Sequence, residues 1–496
     1  MKYLLEITAF ISGAVVMIVE LDGSRIIAPY LGTSTIVWTG LIGVILGSLS
    51  IGYWWGGKLA DRDARFEKLG GILALSALSV LYITYMKNIL AFSLYTPNNL
   101  ILATLIGTTI LFAPATILLG MVSPYLARLK MRSVETSGST IGALYAISTL
   151  GSIIGTFLGG FFLISYLGST TILLYLSAVL FILASGSLWH SDIKQKKARV
   201  LLCIIMALVV VNLTPPQSFG MARISDVDTE YSRVWIYDAP DRETGRPARY
   251  LTNSIYVVQS GMFLDAPDEL LFSYSKFFTL APTLYPDFKN VLMIGAGAYS
   301  YPKYFMSTYP DAQLTVVEID PTLKVLAEKY FDFKPNEKLT LIDEDGRTFL
   351  NDTKQKFNLI LNDAFLSQYN IPFQLTTKEA IQKMYDALDE KGVVMLNIIS
   401  GISGPTSEFL SAEYATYKEV FPKVFLVQVE NKQKNAPQNV MLFAFKAKDG
   451  TLPLSVLKNT FNMSDEQIIT PSITSDTLIL TDEFAPIEKY MIKMLR

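Results

Sequence analysis

The sequence predicts a helical membrane bundle of six or seven spans, followed by an α/β domain with a methyltransferase-like Rossmann sheet of seven strands. The chain has 496 residues, of which 51% are hydrophobic, and long apolar runs fill its first two hundred positions. Beyond residue 213 the composition becomes more polar, and short apolar strands alternate with helical segments. A small β-unit is expected to precede the main sheet.

Six apolar stretches in the first part are each long enough to cross a hydrocarbon layer of ~30 Å as a helix. They lie at about 4–21, 34–56, 69–86, 100–126, 138–164 and 169–189. Glycines recur at helix-face spacing, as in Gly151, Gly155 and Gly159, which lets neighbouring helices approach closely. We therefore expect a tightly packed bundle with the lipid bilayer as its partner.

Basic residues define the expected orientation of this bundle. They cluster in three connections, as Lys58, Arg62, Arg65, Lys68, Arg128, Lys130, Arg132, Lys194, Lys196, Lys197 and Arg199. Short basic connections face the cytoplasm, so the amino terminus is expected inside. The stretch 200–213 is shorter than the ~17 to 25 residues of an ordinary span, which leaves open whether it crosses. We expect a cell-membrane protein whose α/β domain is cytoplasmic; a crossing would place that domain outside.

The predicted domains are a transmembrane bundle at 1–213, a linker at 214–228 and an α/β domain at 229–496. Within the last, a β-unit at 229–265 precedes a Rossmann-like core at 266–496. Its first strands are expected at 231–238 and 249–259. The core strands are expected in "NVLMIG", "QLTVVEID", "KLTLID", "FNLILND" and "GVVMLNII", then near 423–430 and 440–446. Apolar strands that alternate with helices predict a parallel sheet covered on both faces.

Charge and composition exclude several classes of function. The net charge is only −2, so we expect no nucleic-acid partner. A single cysteine, Cys203, excludes an internal disulfide and a thiolate metal site. His190 is the single histidine and is expected to be an interfacial side chain, which excludes zincins, 2-His-1-carboxylate iron sites and histidine-bearing triads; no metal is expected. A general base would therefore be a carboxylate or a tyrosine.

The residues that close the predicted strands are the candidate site, because ligands bind at the carboxyl ends of parallel strands. Gly295 and Gly297 follow the first strand and would let the backbone approach a ligand. Glu318 ends the second strand and could accept both hydroxyls of a ribose. Asp345 follows the third strand and Asp363 closes the fourth. This set favours an adenosyl compound.

Several motifs then become recognisable. "VVEIDP" (316–321), "DGRTFL" (345–350), "NDAF" (362–365) and "IPFQLTTKEA" (371–380) resemble the spermidine synthase (polyamine aminopropyltransferase) family. Three further stretches are similar to its membrane-fused branch: "ELDGSRIIAPYLGTS" (20–34), "GYWWGGKLADR" (52–62) and "LTDEFAPIEKY" (480–490). The resemblance implies transfer of an aminopropyl group from decarboxylated S-adenosylmethionine to a polyamine such as putrescine or a related amine, with release of methylthioadenosine.

The same resemblance implies roles for individual residues. Glu318 would hold the ribose, and Asp345 with Gly346 the adenine. Asp363 would be the catalytic base or would orient the amine. Gln259 and Tyr274 resemble substrate-binding residues of the pocket wall.

Two positions depart from the family pattern. Ala298 and Leu366 stand where soluble members carry aspartate, and each missing carboxylate removes one charge-assisted contact, worth ~1.5 to 3 kcal/mol.

One alternative function is that of a methyltransferase that uses intact S-adenosylmethionine. Another is a transporter or sensor that binds polyamines or adenosyl compounds without catalysis. Asp363 could also merely cap a helix, and Asp345 could merely form a turn. The chain could pair as a homodimer.

Overall fold

The computed structural model describes residues 3–93, 99–131, 137–191, 195–213, 223–254, 257–364, 371–430 and 432–494. The described chain forms two compact units. One comprises Met1–Met221 with Val227–Arg233, and the other Ala222–Asp226 with Val234–Arg496. Leu366 and the first part of the predicted linker, 214–222, lie outside the described residues.

The first unit is helical. Its helices are α1 (Leu4–Leu31), α2 (Thr35–Arg62), α3 (Phe66–Ser93), α4 (Leu100–Lys130), α5 (Ser137–Phe157), α6 (Ile164–Tyr166), α7 (Ser169–Trp189) and α8 (Lys196–Val211). A π-helical turn, Leu158–Leu163, joins α5 to α6. With that segment counted as one helix, 6 of the described helices are long and apolar enough to cross a membrane. This confirms the predicted helical region, whose helices run past the apolar stretches into charged ends.

Some of the glycines set how closely the helices pack. A Cβ on Gly151 of α5 would lie 1.9 Å from the carbonyl oxygen of Phe10 in α1. One on Gly155 would lie 2.6 Å from the Cα of Ala14. Because a side chain has no room there, α1 and α5 depend on glycine for their contact. Gly142, also in α5, has no atom within 4 Å of such a Cβ.

The second unit begins with a four-stranded sheet, in the order β1-β2-β3-β4. Its strands are β1 (Arg223–Asp228), β2 (Arg233–Pro240), β3 (Pro247–Thr252) and β4 (Ser260–Phe263). The end of the predicted linker forms β1. Asp226 of β1 accepts the indole N–H of Trp235 in β2 at 3.0 Å, which joins the two strands. The strand predicted at 249–259 stops at Thr252, whose hydroxyl donates to the carbonyl of Val257 at 2.7 Å and makes a turn.

The main sheet has eight strands in the order β12-β10-β11-β9-β8-β5-β6-β7. They are β5 (Asn290–Ile294), β6 (Gln313–Glu318), β7 (Leu339–Asp343), β8 (Phe357–Asn362), β9 (Leu388–Ser400), β10 (Lys423–Gln428), β11 (Gln438–Phe445) and β12 (Ile468–Ile469). β5 to β9 pair in parallel, as predicted. β10 and β11 are antiparallel, since a short hairpin connects them, and the two-residue β12 was not predicted.

Helices cover this sheet. They are α9 (Ser273–Lys276), α10 (Ala281–Leu284), α11 (Ser300–Thr308), α12 (Pro321–Tyr330), α13 (Gly346–Asp352), α14 (Lys378–Ala387), α15 (Glu408–Val420), α16 (Leu454–Phe461) and α17 (Ile487–Met494). Ile360 and Val394 of the sheet are fully buried against a core that includes Met384 of α14 and Phe409 of α15. The chain order reverses between β5 and β8, which is the point where ligands bind in such sheets.

The glycine contact between α1 and α5 can be tested with one substitution. Gly151→Val is expected to lower the free energy of unfolding by about 1 to 3 kcal/mol, because the added atoms overlap the backbone at Phe10. Gly142→Val, in the same helix, is the matched control and should change it far less. Thermal unfolding of the detergent-solubilised protein measures both, and equal effects would contradict the account.

Candidate functional site

A glycine turn connects β5 to α11 at the carboxyl edge of the sheet. Gly295 has φ +83°, and a Cβ there would lie 2.6 Å from the carbonyl oxygen of Asp363. The backbone N–H of Asp363 also donates to the carbonyl of Ile294 at 2.9 Å. Only glycine fits this backbone conformation and this approach. The ends of β5 and β8 therefore touch, which places Asp363 beside the glycine turn.

The second glycine of the turn faces the β-unit. Gly297 has φ +55°, and a Cβ there would lie 3.1 Å from the Cβ of Ser260, the first residue of β4. Gln259 directly precedes Ser260 and is half-buried, with its backbone N–H bonded to the carbonyl of Leu251 at 3.1 Å. Ala298 is buried at 1% exposure. The wall next to Gly297 is therefore built from small side chains and carries no carboxylate at position 298.

Glu318 ends β6 and is held by the backbone of the neighbouring turns. One carboxylate oxygen accepts the N–H of Ala296 at 2.8 Å, and the other accepts the N–H of Asp320 at 3.1 Å. Burial raises the pKa of Glu318, while these N–H groups act in the opposite direction. A hydrogen bond from the backbone N–H of Gly297 also favours the carboxylate, and because a carboxylate offers about four acceptor positions, the group can still accept a hydroxyl hydrogen bond. Asp320 caps α12 by accepting the N–H of Thr322 at 3.0 Å.

Asp345 is the amino-terminal cap of α13. Its Oδ1 accepts the backbone N–H groups of Arg347 at 2.9 Å and Thr348 at 3.0 Å. Its Oδ2 lies 3.5 Å from the amide nitrogen of Gln374. A Cβ on the next residue, Gly346, would lie 2.6 Å from Ile294 at the end of β5. Capping therefore uses one oxygen of Asp345, and the other remains an acceptor.

Asp363 lies at the centre of the site and is held from two sides. The phenolic hydroxyl of Tyr274 in α9 donates to Oδ2 at 3.1 Å. The side-chain amide of Asn397 in β9 donates to Oδ1 at 3.2 Å. Neither contact is a helix cap. The two hydrogen bonds hold the carboxyl in place, and the backbone of Asp363 lies beside Gly295.

Burial sets the protonation of this group. It raises the pKa of Asp363 to about 7, although the hydrogen bonds from Asn397 and Tyr274 favour the carboxylate. Burial, and then the nearby charge of Asp363, raises the pKa of Tyr274 well above its usual value, so Tyr274 remains a donor. A carboxyl with a pKa near neutrality is suited to accept a proton from a reacting group.

Sequence reasoning missed Asn397 and the interactions of Arg347. Asn397 is a polar residue within the apolar strand "GVVMLNII", and that interruption was the signal available. Arg347 donates to Asp482 at 2.6 Å and so ties α13 to the segment 480–490. That contact spans more than a hundred residues of sequence, so no local pattern indicated it. Within the described residues no group of three or more His, Cys, Asp or Glu side chains could hold a metal ion.

Comparisons with known proteins match the part of the chain that contains these residues. The spermine/spermidine synthase domain model matches residues 272–452, which include Tyr274, the glycine turn, Glu318, Asp345 and Asp363. This part of the chain is therefore similar to spermine/spermidine synthase domains. A polyamine aminopropyltransferase of Vibrio vulnificus is 27% identical over 237 residues, which is 47% of this chain and 76% of that protein. These matches confirm the resemblance and the expectation of a transferase.

Two further relatives widen the comparison. The eEF1A lysine and N-terminal methyltransferase homolog of Drosophila melanogaster is 25% identical over 150 residues, 29% of this chain and 22% of that protein. A crystal structure of a probable spermidine synthase from Corynebacterium glutamicum is similar, with 19% identity and a TM-score of 0.39. It covers 52% of this chain and 98% of that one.

The hydrogen bond from Tyr274 to Asp363 should affect how the activity depends on pH. Below its pKa the Asp363 carboxyl is protonated and cannot accept a proton, so kcat/KM is expected to rise with pH around 7. Tyr274→Phe removes a bond that favours the carboxylate, which raises this pKa. The rising limb should therefore move up by about one pH unit, the equivalent of one hydrogen bond.

Tyr285→Phe is the matched control for this profile. Its hydroxyl donates to a different carboxylate, Asp389, at 2.9 Å, so the limb should stay in place. A Tyr274→Phe profile that coincides with that of the unmodified protein would show that this hydrogen bond does not tune the reacting group.

Proposed function

We propose that the protein is a membrane-bound aminopropyltransferase-like enzyme with Asp363 as its catalytic residue. Decarboxylated S-adenosylmethionine would be the donor and a polyamine such as putrescine, or a related amine, the acceptor. The observation that carries the proposal is the carboxyl of Asp363, held by Tyr274 and Asn397 beside the glycine turn. The match to the spermine/spermidine synthase domain supports it.

The proposed chemistry is a single displacement. The amine nitrogen attacks the aminopropyl carbon beside the sulfonium, a C–N bond forms, and the C–S bond breaks. Its electron pair stays on sulfur, so methylthioadenosine leaves as a neutral thioether without help from an acid. The new ammonium loses its proton to the carboxylate of Asp363. Since no acid is needed, most of the rate would come from in-line positioning of the two substrates.

Glu318 and Asp345 would bind the adenosyl part of the donor. Glu318 is fixed by the N–H groups of Ala296 and Asp320, and its remaining lone pairs would accept the ribose hydroxyls. The second oxygen of Asp345 would accept from the adenine amino group, close to Gly346. Gln259 and Tyr274 would form the wall of the amine site.

A methyltransferase that uses intact S-adenosylmethionine is the second candidate. The buried Ala298 favours it, because no carboxylate at that position would repel the methionine carboxylate. Local identity to the Drosophila methyltransferase homolog agrees with it. Methyl transfer would likewise release a neutral thioether, in this case S-adenosylhomocysteine, and would leave a proton for Asp363.

The six apolar helices suggest a membrane protein, and we propose the cell membrane as its location. The lipid bilayer and a small-molecule amine are the proposed partners. Pairing as a homodimer stays a prediction. A cytoplasmic α/β domain also stays a prediction. The side-chain contacts of Arg25 and Asp228 in the helical unit favour the extracytoplasmic side of the membrane.

Product analysis separates these functions. The purified protein, given each donor with putrescine, is expected to form methylthioadenosine from the decarboxylated donor. S-adenosylhomocysteine would instead indicate methyl transfer.

Asp363→Asn should reduce turnover at least a hundredfold, since the base is lost. Asp352→Asn, an exposed acid at the end of α13, should not. Tight nucleoside binding with neither product would indicate a binding protein.

Glu318→Gln tests the proposed nucleoside site without relying on turnover. It should weaken methylthioadenosine about 10- to 100-fold in calorimetric titration, because a charged acceptor for two hydroxyls is lost. Glu337→Gln changes an exposed acid and should bind as the unmodified protein does. Unchanged affinity in Glu318→Gln would remove this residue from the site.

A further inference from the structure

Side-chain contacts distinguish the two ends of the helical bundle. At one end Lys130, the last residue of α4, lies 2.7 Å from Glu6 at the start of α1. At the same end Arg199, in the first turn of α8, lies 2.8 Å from Glu67 at the start of α3. The ring of His190, just after α7, lies 6.0 Å from that of Phe66. We call this end the basic end, because the helix ends that border the three sequence stretches with clustered lysines and arginines lie here.

The opposite end contacts residues far along the chain. The guanidinium of Arg25, near the end of α1, donates to the carbonyl of Ile164 at 2.7 Å and also to the carbonyl of Thr229. The carboxylate of Asp228 accepts the backbone N–H of Ser169, the first residue of α7, at 2.9 Å. Residues 227–233 belong to the same compact unit as the helices. The chain at 228–229 therefore lies at the end opposite to Arg199.

The chain must consequently cross the bundle between residues 199 and 228. α8 starts at the basic end and packs along α7, with Val200, Cys203, Ala207 and Val210 buried. Its 16 residues rise ~24 Å, which is most of a hydrocarbon layer of ~30 Å. A helix that is short for a span can therefore still carry the chain from one end toward the other.

The distribution of charge assigns the two ends to sides of a membrane. The helix ends opposite to the basic end border the sequence stretches 32–34, 94–99 and 167–168, which contain no lysine or arginine. Short connections rich in lysine and arginine remain in the cytoplasm, so the basic end is cytoplasmic. The geometry points to an extracytoplasmic exit of the chain at 228–233, and hence to an α/β domain that works outside the cytoplasm.

This inference concerns the side on which the site takes its substrates and does not rest on the proposed reaction. An adenosyl donor formed in the cytosol would have to be exported before this domain could use it. The amine acceptor would likewise come from the extracytoplasmic side. For the reaction proposed above, a transport step or an extracellular source would have to supply the nucleoside sulfonium.

Labelling of single cysteines tests the orientation, with no need for enzyme activity. In a Cys203→Ser background, Glu243→Cys lies in the exposed turn between β2 and β3, and Ala198→Cys lies on the exposed side of α8 at the basic end. A membrane-impermeant maleimide should label Glu243→Cys in intact spheroplasts, and Ala198→Cys only after permeabilisation. Labelling of Ala198→Cys in intact cells, or of Glu243→Cys only after permeabilisation, overturns the inference.

Fusions to the full chain give a second reading if a cysteine variant does not accumulate. Alkaline phosphatase fused after Arg496 is expected to be active, because it folds only outside the cytoplasm, and green fluorescent protein at the same position is expected to be dark. A fluorescent fusion with an inactive phosphatase overturns the inference. Either result leaves the product analysis unaffected, so the two proposals can fail separately.

Discussion

The candidate site depends on the close approach of two strand ends, those of β5 and β8. At this point the chain order of the sheet reverses, since β6 lies beside β5 on one side and β9 lies beside β8 on the other. Gly295 permits the approach because it adopts φ +83° and leaves no side chain against the carbonyl of Asp363. The same contact fixes the position of the Asp363 backbone. Its carboxyl then meets Tyr274 from α9 and Asn397 from β9, which come from distant parts of the chain.

The site combines one reactive acid with one fixed acid. Glu318 lies at the end of β6, which is adjacent to β5. Backbone N–H groups hold both of its oxygens in place there. Asp363 receives side-chain donors instead, and burial brings the pKa of Asp363 to about 7. The two carboxyls lie on the strands that flank β5, and they can serve different purposes because different donors surround them. One is suited to bind hydroxyls and the other to exchange a proton.

Much of this arrangement follows from local sequence. The apolar runs define the helices, and the alternation of strands and helices defines the parallel part of the sheet. Strand ends identify Gly295, Glu318 and Asp363, since ligand sites of this fold lie there. The antiparallel β10 and β11, the short β12 and the role of Asn397 depend on which strands pair, and residue types do not encode that locally. For Asp345 the sequence left a ligand contact and a turn as alternatives, whereas the structure makes it the amino-terminal cap of α13, with its second oxygen still an acceptor.

Residues that are absent from the site matter as much as those present. Ala298 is buried at a position where the sequence resemblance implies an acid, so the proposed donor would be held with one charged contact fewer. The proposed function therefore assigns adenosyl binding to Glu318, Asp345 and the glycine turn, and the choice of donor to the region around Ala298.

A crystal structure of the protein with methylthioadenosine bound tests the central claim most directly. The account predicts the ribose hydroxyls on Glu318, the adenine near Asp345 and Gly346, and the sulfur facing Asp363. A nucleoside bound elsewhere, or a β5–β8 crevice filled by the protein's own side chains, would contradict it.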